Sequence, residues 1–232
     1  MKTNSNSYTI IYSIIIVVIV AFLLAFVSTS LREKQDKNVA LDKKKQILYS
    51  LNIRGLNDAD AEAKYKEVIV ADEIIDENGS VSAPGAQGGE NDGFKLNSAD
   101  YKAGKLALYL CKIDGQTKYV VPVYGMGLWG PISGYIAIND DKNTVYGAYF
   151  NHESETAGLG AEIKDSQAWQ EKFQNKLITK EGQDGIALSV EKKVEDPTTQ
   201  VDAVTGSTLT SNGVKDMLKE CLSKYAKFLN DK

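Results

Sequence analysis

From Tyr8 to Leu31 the chain reads YTIIYSIIIVVIVAFLLAFVSTSL, without a single charge. A bilayer core of about 30 Å takes about 20 apolar residues as a helix. The run therefore predicts a transmembrane helix over 8–31, behind a short N-terminal tail over 1–7. A cleaved signal peptide has an apolar core of about 7–15 residues and a small-residue cleavage site. This run is longer and closes on Ser28, Thr29 and Ser30 without that pattern. A retained single-pass anchor is expected.

Beyond the span the pattern becomes helical and polar. Val39, Leu41, Ile47, Leu48 and Leu51 give a loose apolar face, and Gly55 marks its end. DADAEAKYKEVI reads as a second helix, so residues 32–75 are expected to form a helical stalk. Asp76 to Phe94 is dense in Gly, Ser and acids, with too little apolar content to pack. A flexible loop is expected over 76–97.

From Leu106 the period shortens. LALYLCKI and KYVVPVYG are β-branched runs split by DGQT, and SGYIAIN and TVYGAYFNH flank a turn at Asp140 to Asn143. SQAWQEKFQNKL predicts a short helix with Trp169, Phe173 and Leu177 on one side, and GIALSVEKKV a further strand. Val214, Met217, Leu218, Cys221, Leu222, Tyr225 and Leu229 recur at three- and four-residue spacing, predicting a helix over 211–229 that buries Cys221. The expected fold is α+β: anchor, stalk, and one domain over 98–232 built on an antiparallel sheet.

Composition narrows the chemistry. Two cysteines, Cys111 and Cys221, and one histidine, His152, build neither a zinc site nor a Cys-ligated iron–sulfur cluster. No metal is expected, and an organic cofactor stays open. A net charge of −4 gives no pull toward nucleic acid. Lys2 precedes the span, whereas Arg32, Lys34, Lys37, Lys43, Lys44 and Lys45 follow it. The positive-inside rule, taken alone, puts the large domain in the cytoplasm.

Three segments carry candidate chemistry. YGMGLWGPISGY, from Tyr124, holds Gly127 and Gly130 around Trp129. Its glycines let backbone approach a flat ligand, and its indole can stack on one. HESETAGLG offers Glu155 and Thr156 as polar contacts, Leu159 as an apolar one, and Gly158 and Gly160 as open backbone. That mixture suits an amphipathic heterocycle such as an isoalloxazine. His152 is either a general base or an ordinary strand-end residue. DAVTGSTLTSNGV, Asp202 to Val214, sets Thr205, Ser207, Thr208, Thr210 and Ser211 around Gly206. Thr210 or Ser211 is expected to cap the last helix, whose N-terminus would welcome a phosphate. The alternative is a plain capped turn.

These three segments, in this order behind one N-terminal span, resemble the FMN-binding subunits of two respiratory complexes. They are the C subunit of the sodium-translocating NADH:quinone oxidoreductase and, more distantly, the G subunit of Rnf complexes. The resemblance covers the anchor and about Tyr119 to Leu229, and GLWGPISGYIAI favours the sodium pump. In that family FMN is joined by a phosphoester to a threonine. Thr205-Gly206-Ser207-Thr208 matches the attachment motif, which implies Thr208 as acceptor, with Ser207 in place of the usual alanine. Glu155 to Gly160 matches the family's ETPGLG, with Ala157 in place of proline.

The resemblance further implies that Asp202 is read by a flavin transferase. It implies FMN contacts at Gly127, Trp129, Gly130, Glu155, Thr156, Gly158, Leu159, Gly160, Thr205, Gly206, Ser207 and Thr210. Partners would be the other subunits of the complex, the transferase and the bacterial inner membrane. Against the charge count, the resemblance places the soluble domain on the extracytoplasmic side. The chain would be one subunit of an NADH:ubiquinone reductase, incomplete alone, because no NADH-binding fingerprint and no iron–sulfur ligand set is legible. The alternative class is an anchored binding module without redox chemistry.

Overall fold

A computed structural model describes residues 5–231. Lys2 and most of the expected 1–7 tail lie outside the described residues, as does Lys232. The chain divides into two units, Met1–Lys43 and Lys44–Lys232.

Helix α1 runs from Asn6 to Ser50, with its apolar stretch exposed. By length and composition it is able to cross a membrane. Within the second unit, the last turns of α1 bury Ile47 and Leu48, and Leu51 just beyond them. There Lys44, itself buried, pairs with Glu62 at 2.9 Å and Glu90 at 3.0 Å. Helix α2, Asp58–Val68, starts at Asn57, whose side chain accepts from the Asp60 N–H.

The helical stalk expected to Ile75 does not hold. α2 passes directly into β1, Ile69–Ile75, an inner strand of the six-stranded sheet. The sheet is antiparallel in the order β2-β1-β3-β4-β5-β6, where β2 is Val81–Ala83, β3 Leu106–Ile113, β4 Gln116–Met126, β5 Pro131–Asn139 and β6 Val145–His152. Strand side chains alternate between faces. Leu108, Val121, Val123, Ile136, Ala148 and Phe150 join one core. Their neighbours Tyr109, Val120, Tyr135 and Tyr149 are also buried. Both faces are covered, which is why these strands read as unbroken apolar runs.

The loop expected to be flexible over 76–97 is folded around one carboxylate. Asp72 of β1 is fully buried and accepts N–H bonds from Ala86, Asn91, Asp92 and Phe94 at 2.8 to 3.1 Å. Phe94 sits edge-on to Tyr65, with ring centroids 5.8 Å apart. A single 3-10 turn, Gly93–Lys95, leads to α3, Ser98–Lys102, which has an Asn97/Asp100 capping box.

After β6 come α4, Glu162–Asp165, and α5, Gln167–Glu171. Trp169 and Phe173 are buried against Phe150, while Leu177 is only half-buried and bridges to Thr144. The strand expected in GIALSVEKKV shrinks to β7, Ser189–Glu191, which pairs in parallel with β8, Gln200–Asp202, outside the main sheet. The final helix starts earlier than expected and divides in two: α6, Thr208–Lys224, and α7, Ala226–Asn230. Between them lies Tyr225, whose hydroxyl donates to the Ala107 carbonyl at 2.8 Å. Val214, Met217, Leu218, Cys221 and Leu222 are buried, and both cysteines are free thiols. α6 thus packs its apolar stripe along β4, with its N-terminus at the Met126 end of that strand.

Candidate functional site

Two glycines bring α6 onto the end of β4. A Cβ at Gly213 would strike the Met126 carbonyl, and one at Gly125 would lie 2.7 Å from the Met217 Cβ. Their absence lets the first turn of α6 lie beside the tight turn after β4, which Gly127 N–H closes on the Gly130 carbonyl at 2.8 Å. The segment after β6 completes the third side.

These three segments enclose a cleft of about 220 Å³. It is lined by Leu128 and Trp129 from the turn, Glu155, Thr156, Leu159 and Gly160 from the segment after β6, and Gly206 to Thr210 from the start of α6. Its rim is apolar and open: Trp129 is 65 % exposed, and Leu128, Leu159 and Leu209 are about half exposed.

At its base sits Glu155, 7 % exposed. One carboxylate oxygen accepts from the Trp129 N–H at 2.9 Å and the other from the Thr210 hydroxyl at 2.6 Å. Gly127 and Gly160 make room for that carboxylate, since a Cβ at either would collide with it. His152 Nδ1 accepts the Glu155 N–H at 3.2 Å. That nitrogen is therefore engaged in holding the backbone, and the geometry does not give it the part of a base.

The cluster of hydroxyls separates by burial. Thr210 does not cap α6; it is buried and donates to Glu155. Ser211 does not cap it either; its Oγ, buried, accepts from the Val204 N–H at 3.1 Å. The N-cap residue is Ser207, which makes no side-chain cap bond. Thr208 is the first residue of the helix, exposed, and faces the cleft. The turn before it depends on Gly206, at φ +78°, a conformation natural to glycine.

Not every expected site residue lines this cleft. Gly127 and Gly130 stand behind the wall, the latter against Ser154. Gly158, Thr205 and Asp202 belong to a neighbouring hollow of about 310 Å³, with Glu162, Trp169 and Lys172. Leu128 and Leu209 line the cleft, and sequence reasoning misses both. Leu209 carries a signal, being a large apolar residue off the stripe that α6 buries. Among the described residues, no three His, Cys, Asp or Glu side chains are grouped to hold a metal ion.

The residues fit a flavin mononucleotide on this geometry. Apolar flanks suit the ring, and the N-cap of α6, without a side-chain partner, leaves N–H groups for a phosphate. The cleft is smaller than a typical enclosed ligand pocket of about 300–1,000 Å³, so the ring would be held at the surface.

The FMN-binding domain family matches residues 127–223, a span that contains all of the cleft. The C subunit of the Na(+)-translocating NADH-quinone reductase of Haemophilus ducreyi is 31% identical over 231 residues, covering 93% of this chain and 89% of that one. That of Pseudomonas aeruginosa is 27% identical, covering 95% and 92%. The crystal structure of the Parabacteroides distasonis C subunit superposes with a TM-score of 0.79 at 38% identity, covering 87% of this chain and 98% of that chain. The Shewanella oneidensis counterpart, at 24% identity and a TM-score of 0.64, shares the fold. The apolar N-terminal helix, the antiparallel sheet and the cleft at its end thus accompany similarity along almost the whole length, and the chain belongs to the family of the C subunit of the Na(+)-translocating NADH-quinone reductase.

Proposed function

We propose that this chain is a membrane-anchored electron-transfer subunit of a Na(+)-translocating NADH-quinone reductase, carrying FMN bonded through its phosphate to Thr208. One observation carries the attachment site. Of the five hydroxyls in the motif, Thr208 is the exposed one that faces the cleft, while Ser207, Thr210 and Ser211 are buried.

When bound, FMN supplies reversible electron acceptance and donation. The protein's part is to hold it. The tether prevents loss by dissociation and gives the flavin a local concentration on the order of millimolar or above. Leu128, Trp129, Leu159 and Leu209, which line the cleft, would flank the ring, and Thr156 would offer it a hydroxyl. Relative to free FMN and the Thr208 hydroxyl, the joined species would lack one water: a diester in place of the monoester, with about one negative charge fewer. The N-terminus of α6 stabilises the remaining charge by about 0.3–1 kcal/mol. The bond lies on the phosphate, so the ring itself is unmodified and its potential is set by the contacts around it.

Other subunits of the complex must supply the NADH site, the further redox centres and the sodium path. α1 anchors the chain, with Ala21, Ala25 and Ser28 as small residues where neighbouring helices can approach. The soluble domain lies on the extracytoplasmic side of the bacterial inner membrane, where a flavin transferase loads it after reading Asp202. A free-standing binding module is disfavoured by the length of the match to the reductase relatives.

Flavin fluorescence in a denaturing gel tests this, using protein co-expressed with a flavin transferase. Fluorescence is expected in the unaltered chain and in Thr205→Ala, and not in Thr208→Ala. A dark unaltered chain, or a fluorescent Thr208→Ala variant, overturns the reading.

A further inference from the structure

We propose that Glu155 is a positioning residue: it braces the two walls of the cleft against each other and so fixes where the flavin ring rests. This rests on the attachment of FMN at Thr208 and concerns what that attachment leaves unsettled. A ring joined only through its phosphate hangs on a flexible chain of single bonds. The tether keeps it nearby and gives it no orientation. Orientation has to come from the walls, and then only if the walls keep a constant separation.

The walls belong to segments far apart in sequence. Leu128 and Trp129 ride on the turn between β4 and β5; Thr208 and Leu209 ride on the first turn of α6. The Glu155 side chain hydrogen-bonds to both. Glu155 accepts the Trp129 N–H with one oxygen and the Thr210 hydroxyl with the other, at 2.9 and 2.6 Å. It is held in turn from below, where its own N–H donates to His152 Nδ1. Hydrogen bonds to a buried carboxylate are about twice as strong as neutral ones, and a carboxylate deprived of a donor there pays its desolvation. The brace is therefore stiff.

Three residues that the resemblance assigns to flavin contact thereby take a different part. Both carboxylate oxygens of Glu155 are committed to protein donors, so its main partner is the protein, not the flavin. Gly127 and Gly160 clear space for that carboxylate; a side chain at either position would displace it. Trp129, mostly exposed, owes its placement at the rim to a bond from its own backbone.

Three variants separate a brace from a residue that only supports the fold. Glu155→Gln keeps the shape, and its amide can accept from the Trp129 N–H and donate to the Thr210 oxygen. Thr210→Val keeps the volume and removes one arm. Glu155→Ala removes both. All are prepared as the full-length protein loaded by the transferase, with in-gel fluorescence reporting attachment and circular dichroism reporting the fold. Fluorescence anisotropy of the tethered flavin and its reduction potential then report the ring.

The expected result is full attachment in all three. Anisotropy falls toward that of free FMN and the potential shifts toward the free-flavin value in Glu155→Ala and Thr210→Val, while Glu155→Gln stays near the unaltered protein. Folded, fully loaded Ala and Val variants with unaltered anisotropy and potential overturn the proposal. So does loss of attachment in a folded variant, which would place the carboxylate in the loading step. A dark unaltered protein would instead count against the attachment itself.

Discussion

Lys172 Nζ donates to both carboxylate oxygens of Asp202, at 3.0 and 2.8 Å, outside the cleft that Thr208 lines. The pair sits about half exposed on both sides, where such a bridge contributes no more than about 1 kcal/mol. Asp202→Asn should therefore leave the melting temperature nearly unchanged. If a transferase reads Asp202, the same variant should show a clear drop in flavin incorporation on co-expression. Unaltered incorporation would reduce Asp202 to a surface ion pair.

Asp72 holds the glycine-rich loop through four backbone donors. Asp72→Ala removes the acceptor of all four N–H groups; the Phe94 donor is buried and loses about 1–3 kcal/mol, while the three part-buried donors lose less because water reaches them. A loss of about 1–3 kcal/mol or more in unfolding free energy is expected, read from a lowered denaturant midpoint at unchanged slope, with new proteolytic cleavage within residues 84–94. A change below about 0.5 kcal/mol, the level of an ordinary surface substitution, would show that the loop does not need this anchor.

How legible this was in the sequence depends on where each partner lies. The four strands from Leu106 to His152 could be read because their turns announce themselves at Asp114-Gly115 and Asp140 to Asn143. β1 could not, because IVADEII continues a polar helix without a break and carries Asp72 and Glu73 in its middle. The donors that make Asp72 tolerable arrive 14 to 22 residues later. The site divides the same way. Glu155, Trp129 and Thr208 were visible as candidates. The direction each hydroxyl faces was not, since Thr210 turns inward only to meet a carboxylate 55 residues away.

Acid sensitivity should localise in part to the β5–β6 turn. Burial alone would raise the Asp141 carboxyl, but bonds from the Thr144 hydroxyl and from the Thr144 and Asn143 N–H groups hold it below its ordinary value. The unfolded chain takes up this proton at a higher pH than the folded one does. The contribution is thus complete above the ordinary aspartate value and is lost as pH falls through the depressed one. Melting temperatures between about pH 5 and about pH 2 should fall less steeply for Asp141→Asn. Parallel curves would show that this turn has no part in the acid limb.

The proposed orientation conflicts with the lysines and arginine that follow the span. A C-terminal alkaline phosphatase fusion, active only outside the cytoplasm, is expected to be active in the membrane-inserted protein. An inactive fusion would return the domain to the cytoplasmic side, where the positive-inside rule puts it.

The proposed attachment of FMN to Thr208 can be read on a single peptide. Trypsin cuts after Lys193 and Lys215, releasing one peptide that holds every hydroxyl of the motif. Fragmentation mass spectrometry of that peptide, from protein matured with a transferase, reads the attachment site directly. The mass of FMN less one water is expected on Thr208. The same added mass on Thr205, Ser207 or Thr210, or a peptide with no added mass, would contradict that assignment.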